Sequence, residues 1–331
     1  MPGKEDGALH VRINMDCAPG GMALLTPGGS LTWGRCHFDF NPEPGGRTDF
    51  SVVLGNMRPY DRFIAAPQNT LFIAGEPLSK KLYPQAFYRQ FGHVVDSHAE
   101  SRHPHLHVSA LGLNWHVGLD RSSNSYRYGY DHLSTLTCPE KQNRIAVVCS
   151  NASKTEGQRQ RLALLEGLKQ RLGERLVHFG RGFEPIDDKM DAILPYRFHL
   201  VLENSVLPNY WTEKLADAYL GWAYPLYLGC PNASDYLPAE ALLSINDLDV
   251  DAAAARIAEL LDQPLDPRRQ AALAEARNRV LNVYNPFAWA AHWAELLYRP
   301  GLAEKAVTLR SHKAFRSFPR GHLFRLRKAM A

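Results

Sequence analysis

The chain has 331 residues, of which 45% are hydrophobic and 22% charged, and a formal net charge of +4. Its composition is that of an ordinary globular protein rather than a disordered chain, and its length is long for one hydrophobic core but suits two domains of about 150 residues each. No apolar run reaches the ~18 residues that a membrane-spanning helix needs.

The amino terminus, MPGKEDGALHVRINMD, lacks the basic, apolar and small-residue regions of a secretory signal, so the chain is expected to stay where it is made. Cys17, Cys36, Cys138, Cys149 and Cys230 are odd in number and form no C-x-x-C pair. That argues against a disulfide framework and a zinc ribbon, and favours a reducing cytosol.

In the first half, HVRINMD, DFSVVLG, TLFIAG and HVVDSH read as strands, with a helix around Tyr83 to Phe91. The strand TLFIAG ends in a Gly75-Glu76-Pro77 turn, where Pro77 blocks further pairing. Glu76 is therefore either a water-exposed turn residue or a carboxylate presented to a ligand. His98, His103, His105, His107 and His116 invite a metal reading, but no H-E-x-x-H or C-x-x-C spacing supports it, and surface or cleft histidines are the expectation. The stretch from Asp120 to Gln142 is rich in Ser, Tyr, Arg and Gly and reads as a connection.

From residue 144 onward, strands and helices alternate: RIAVVCS, QRQRLALLEGLKQRLG, RLVHFG, DDKMDAIL, and then RFHLVLENSVLPNYWTEK at 197–214. Such alternation means a parallel sheet flanked by helices, and open sheets of this class bind ligands at the carboxyl ends of their strands. Ser150-Asn151, Gly180-Arg181-Gly182, Glu203-Asn204 and Gly229 all fall there. Thr212 is a plausible N-cap for a helix whose apolar face is Leu215, Ala218, Tyr219 and Trp222, and Lys214 adds positive charge to a helix start that already favours anions. Glu213 at the first turn is favourable for the helix alone. A phosphate ester is the expected guest. Asp247-Leu248-Asp249 resembles a metal-binding D-x-D, although its place before an alanine-rich helix favours capping. Helices follow at about 250–262 and 267–284, and NPFAWAAHWAELLYR reads as a closing helix capped by Asn285. No G-x-G-x-x-G or GK[ST] motif is present, which disfavours NAD and ATP chemistry.

Eight of the 38 basic residues follow Glu304, leaving 30 against 34 acidic residues in the body. The basic residues of 305–328, interleaved with Phe315, Phe318, Leu323, Phe324 and Leu326, suit an anionic membrane surface; a solvated or packed tail is the alternative. Nucleic acid is not expected as a partner of an acidic body. The expected division is 1–140, 141–300 and a basic amphipathic tail at 301–331.

ENS, a following Tyr and TEK resemble the signature of glycosyltransferase family 10, the α-1,3/4-fucosyltransferases. The resemblance continues through Ser150-Asn151, Phe179-Gly180-Arg181-Gly182, PYRFHLVLENS, Tyr210-Trp211-Thr212-Glu213-Lys214 and Tyr224-Pro225-Leu226-Tyr227-Leu228-Gly229, and more loosely through LFIAGEPLSKKLYPQAFYRQFGHVV at 71–95. It implies an α/β fold of two Rossmann-like domains facing a cleft, the GT-B type. The implied activity is inverting transfer of L-fucose from GDP-fucose to a hydroxyl of an oligosaccharide or glycolipid.

Glu76 then matches the family's acceptor-side carboxylate and is the expected general base. Ser150, Asn151, Arg161, Gly180, Asn204, Tyr210, Glu213 and Lys214 match donor-side positions, with Arg161 as a fork for the diphosphate and neighbouring Arg159 as its rival. No metal or other cofactor is expected to be required, and stimulation of product release by divalent ions stays open. Animal relatives with this signature are membrane-anchored Golgi enzymes, so a bacterial-type member is expected, cytoplasmic or peripheral on the inner face of the cytoplasmic membrane. The alternatives are a transferase of this fold using another nucleotide sugar, or a catalytically silent glycan-binding or membrane-associated protein.

Overall fold

The computed structural model describes residues 7–316, which form two compact units. One gathers Leu25–Gly112 with the amino-terminal segment ending at Ala18 and the carboxyl-terminal segment starting at Pro286; the other gathers Leu113–Asn285 with Pro19–Leu24. The units therefore change over near 112 and 285, where the expected cuts fell at 140 and 300. The closing helix, Pro286–Leu297, belongs to the first unit because Phe287 packs on Phe38 and Phe40, at ring distances of 5.3 and 5.8 Å.

The first unit holds β1 (Leu9–Asn14), β2 (Thr32–Trp33), β3 (Cys36–Phe40), β4 (Phe50–Leu54), β5 (Tyr60–Ala65), β6 (Thr70–Ile73), β7 (His93–Asp96) and β8 (Leu106–Val108). Seven of them form one sheet in the order β2-β3-β1-β4-β6-β7-β8, parallel throughout except for β2 on β3. Every residue of β4 and β6 is buried, as strands of a parallel sheet covered on both faces require. The helix expected over Tyr83 to Phe91 is a single turn, Gln85–Tyr88. Pro84 starts it without a side-chain cap, and Gly92 must lie so close to Gln68 that a Cβ there would meet its carbonyl oxygen at 2.3 Å. The aromatic residues act as a cluster instead, with Phe72 within 4.9 Å of the rings of Tyr83 and Phe87.

Strand β5 stands outside this sheet and is joined to β1 by a buried ion pair. Arg12 donates from Nε and Nη2 to the two oxygens of Asp61, each at 2.7 Å, and Asn14 adds a third bond at 2.7 Å. Lys305–Arg310 pairs antiparallel with β5, burying Val307 and Leu309 while Lys305 and Arg310 face water. His312 then packs edge-on to Tyr83 at 5.5 Å. The first part of the expected tail is thus an alternating strand of the first unit, whereas Phe318, Arg320, Leu323, Phe324, Arg325, Leu326, Arg327 and Lys328 lie outside the described residues.

The second unit has a ribbon, β9 (Leu119–Asp120) with β10 (Ser125–Tyr126), and five parallel strands: β11 (Gln142–Val148), β12 (Leu176–Phe179), β13 (Tyr196–Leu202), β14 (Tyr224–Leu228) and β15 (Leu243–Ser244). Their order is β12-β11-β13-β14-β15. Alternate residues of β11 face opposite ways. Ile145 and Val147 join Phe198 and Leu200 in a core under the helices Glu156–Leu172 and Val250–Leu261. Ala146 packs with Phe179 and Ala192 of the short helix Lys189–Ile193. Thr155 and Gln158 form a capping box that starts the first of these helices. The order in which strands are added reverses between β11 and β13, the switch point at whose carboxyl ends open α/β sheets bind ligands. Parallel sheets in two α/β units are the pair that the expected Rossmann-like, GT-B type fold calls for.

If the strand Lys305–Arg310 belongs to the core of the first unit, Leu309→Ala costs roughly 2–5 kcal/mol of unfolding free energy in urea titration. A merely solvated tail would leave the midpoint unchanged.

Candidate functional site

Strand β13 runs straight into a carboxylate. Glu203 has a fully buried side chain, and a buried carboxylate must find donors. Its Oε1 accepts from the backbone N–H of Thr212 at 2.9 Å, and the Thr212 hydroxyl lies 2.8 Å from both of its oxygens. The loop from 204 to 211 is therefore clamped at its base. Thr212 also caps the helix Glu213–Leu220 by accepting from the Lys214 N–H at 3.3 Å.

Lys214 Nζ stands among three oxygens: Glu203 Oε2 at 3.3 Å, Glu213 Oε1 at 3.1 Å and Thr212 Oγ1 at 3.1 Å. A second ammonium, Lys189, sits on the other side of the helix start, 2.6 Å from Asp217 Oδ2 and 3.9 Å from Glu213 Oε1. Asp217, one turn below Glu213, accepts the backbone N–H groups of His116 and Val117 at 2.7 and 3.0 Å. His116 Nδ1 lies 3.8 Å from Glu213.

Burial and charge pull these groups in opposite directions. Burial alone would raise Glu213, but Lys214, Lys189 and His116 hold it well below the usual carboxylate range. Burial raises Glu203, with Lys214 opposing. For Lys214, burial lowers and the two glutamates more than offset it, so its proton is held above the ordinary lysine range. His116 is pushed down by burial and by Lys189.

The neighbouring strand end supplies the other expected residues. Arg161, buried in the helix after β11, donates from Nη1 to Asn204 Oδ1 at 2.9 Å, while its buried Nε has no hydrogen-bond partner. Arg159 turns outward to Glu156 at 3.1 Å, so Arg161 is the arginine that reaches Asn204. Gly157 permits this approach, since a Cβ there would meet Asn204 O at 2.3 Å. Ser150 and Asn151 follow β11, and the Asn151 N–H donates to Arg181 O at 3.2 Å. Gly180 takes φ 124°, with Cys149 O 2.8 Å from where a Cβ would stand. Tyr210 is buried in the clamped loop beside Trp211, whose ring meets Tyr284 edge-on at 5.1 Å.

Glu76 belongs to the first unit. There Gly75 and Gly55 pass so closely that a Cβ on Gly75 would lie 2.9 Å from Gly55 Cα, and Glu76 Oε1 pairs with Lys80 at 2.6 Å. Lys81, bonded to Asn56 Oδ1 at 2.9 Å, is lowered to about 8, chiefly by burial. The histidines at 93, 103, 105 and 107 approach one another, His93 and His107 with ring centroids 5.6 Å apart. Among the described residues no group of His, Cys, Asp and Glu is arranged to hold a metal. Asp249 caps the helix Val250–Leu261 through Ala252 N at 2.8 Å, and Asp251 pairs with Arg171.

Sequence reasoning missed Lys189, Asp217 and the backbone at His116. Asp217 is four residues beyond Glu213, the spacing of one helical face, which was the available signal. Nothing in the sequence around Lys189 points to its partner.

Residues 138–268 match the family model described as Glycosyltransferase family 10 (fucosyltransferase) C-term. Over 143 residues the chain is 32% identical to a 3-galactosyl-N-acetylglucosaminide 4-alpha-L-fucosyltransferase of Homo sapiens, covering 41% of this chain and 38% of that protein. It is 36% identical over 91 residues to a 4-galactosyl-N-acetylglucosaminide 3-alpha-L-fucosyltransferase of Homo sapiens, covering 26% and 25%. The chain thus spans well under half the length of the curated relatives it matches. A crystal structure of an alpha1,3-fucosyltransferase with GDP superposes with a TM-score of 0.48 at 15% identity, over 86% of this chain and 94% of that one.

Because the folded-state proton affinity of Glu213 lies below its unfolded value, its ionised form contributes stability that is complete above about pH 4.3 and is lost as pH falls further. In urea unfolding, wild type should exceed Glu213→Gln at pH 7, with the gap narrowing below about pH 4.3. A gap independent of pH would contradict the charge network.

Proposed function

We propose, from the match of residues 138–268 to the family 10 model, that the chain is a fucosyltransferase that moves L-fucose from GDP-fucose to a hydroxyl of an oligosaccharide or glycolipid. The observation that carries this reading is the convergence, at the carboxyl ends of β11 and β13, of a fork-shaped cation, a clamped loop and a helix start with an ammonium. Such a place suits a diphosphate, which needs positive charge and backbone donors and becomes the leaving group.

In the proposed reaction the acceptor oxygen attacks the anomeric carbon with inversion. The bond from that carbon to the diphosphate breaks, and the acceptor proton passes to Glu76 as general base. Arg161 offers bidentate contact to the diphosphate. Lys214 has its donors directed at Glu203, Glu213 and Thr212, so a diphosphate would bind by taking over part of that coordination. Glu213, kept ionised by its two lysines, accepts hydrogen bonds from donor hydroxyls. Asn204 is oriented by Arg161, while Ser150, Asn151, Gly180 and Tyr210 line the donor side in this reading.

The test separates the two halves of the reaction. Glu76→Gln should abolish fucose transfer while calorimetry shows GDP affinity unchanged, and Lys214→Ala should weaken GDP by roughly 1.5–3 kcal/mol, the range for a lost hydrogen bond to a charged group. Full turnover by the first variant removes the base assignment, and undiminished affinity in the second removes the phosphate role.

A further inference from the structure

The second unit has another cavity at the opposite end of the same sheet, with a volume of about 510 Å³, inside the range of small-molecule sites. It lies where β11, β13 and β14 begin: Lys141 precedes β11, Arg197 is near the start of β13, and Trp222 precedes β14. The donor-side residues Ser150 and Asn204 follow the other ends of β11 and β13, so the two places are distinct. Leu265 and Leu273 supply apolar wall, and Cys138 opens to solvent at its rim.

Two features of this cavity bear on what it could hold. The first is the ring of Trp222, whose backbone, at φ 55°, closes the helix Glu213–Leu220 in a Schellman motif: its N–H donates to Tyr219 O and the Ala223 N–H to Ala218 O, each at 2.9 Å. That ring is held by its Nε1 donating to Leu136 O at 2.9 Å and by the Arg277 guanidinium 4.5 Å from its centre. The second is an excess of positive charge. Arg277 is buried, hydrogen-bonds Leu133 O, and leaves Nε without a partner; among the described residues no carboxylate pairs with it. Lys141 is braced by the carbonyls of Leu194, Tyr196 and Gly221, and carries no carboxylate either. Arg197 spends only Nη1, on Asn143 Oδ1 at 3.0 Å. Glu140 is the acidic side chain of the lining, against Lys141 and Arg197, while Arg277 stands against the Trp222 ring outside it. Lys141 and Arg197 are half-buried, so an anion that enters meets two cations that no carboxylate among the described residues has already paired.

We propose that this cavity is a second ligand site, which takes a planar organic anion, its ring against Trp222 and its acidic head on the free edge of Arg197. The stacking supplies apolar area and the guanidinium supplies direction. No step of fucose transfer depends on it.

The probe is 1-anilinonaphthalene-8-sulfonate, a flat ring system with one sulfonate, added to the full chain. Its binding is read by fluorescence and by the rate at which iodoacetamide alkylates Cys138, with exposed Cys17 as the internal reference. Expected are saturable binding, slowed alkylation of Cys138 but not of Cys17, and affinity about tenfold weaker in Arg197→Ala at an unchanged melting temperature. GDP should not displace the probe. Alkylation of Cys138 unaffected by saturating probe overturns the site, and protection equally strong in Arg197→Ala overturns its preference for anions. Should Arg197→Ala melt early, Arg197→Lys serves instead: it keeps the charge but loses the fork, and undiminished affinity there overturns the directed contact.

Discussion

A carboxylate buried at the end of a strand governs the second unit. Glu203 has no access to water, so the chain must return to it, and it does so by bringing Thr212 back with both its N–H and its hydroxyl. That return closes the loop, sets the cap of the helix Glu213–Leu220 and delivers Lys214 to the same carboxylate. Gly229 belongs to this arrangement too, because a Cβ there would meet Tyr227 Oη at 2.3 Å and Glu203 Cγ at 2.7 Å. One buried acid thus fixes a strand end, a loop, a helix start and a glycine.

The second consequence is electrostatic. Glu203, Glu213 and Asp217 stand with Lys214 and Lys189 in a space where water screens little, so each charge depends on its neighbours. Removing one member strands another, a loss of about 3–5 kcal/mol for a typical buried pair. Such a network also positions: Lys189 holds Asp217, and Asp217 holds the backbone at His116 and Val117. The side chains of Glu213 and Lys214 are therefore held in place by their neighbours.

Continuous apolar runs made β4, β6, β11 and β13 legible in the sequence, because a strand buried on both faces needs them. Thr212 and Asp249 were legible as caps for the same local reason: their side chains bond within three residues. What escaped were elements whose order comes from distant partners. CHFDF in β3 is half exposed and carries charge, so its pattern is weak until β1 pairs with it. Lys305–Arg310 read as a charged tail because its inward residues, Val307 and Leu309, are only two, and β5 lies more than 200 residues earlier. Of the candidate site, the motif residues were visible and their supports were not. Lys189 looks like any lysine at a helix start, and only the fold brings Asp217 to it.

In the proposed reaction the clamped strand-to-helix junction holds the diphosphate of GDP-fucose. Thermal unfolding of the full chain with GDP, UDP and CDP at equal concentration tests it most directly. A rise in melting temperature with GDP that exceeds those with UDP and CDP is expected, as is its loss in Glu203→Gln with the fold retained. Equal stabilisation by all three nucleotides, or by none, would contradict it.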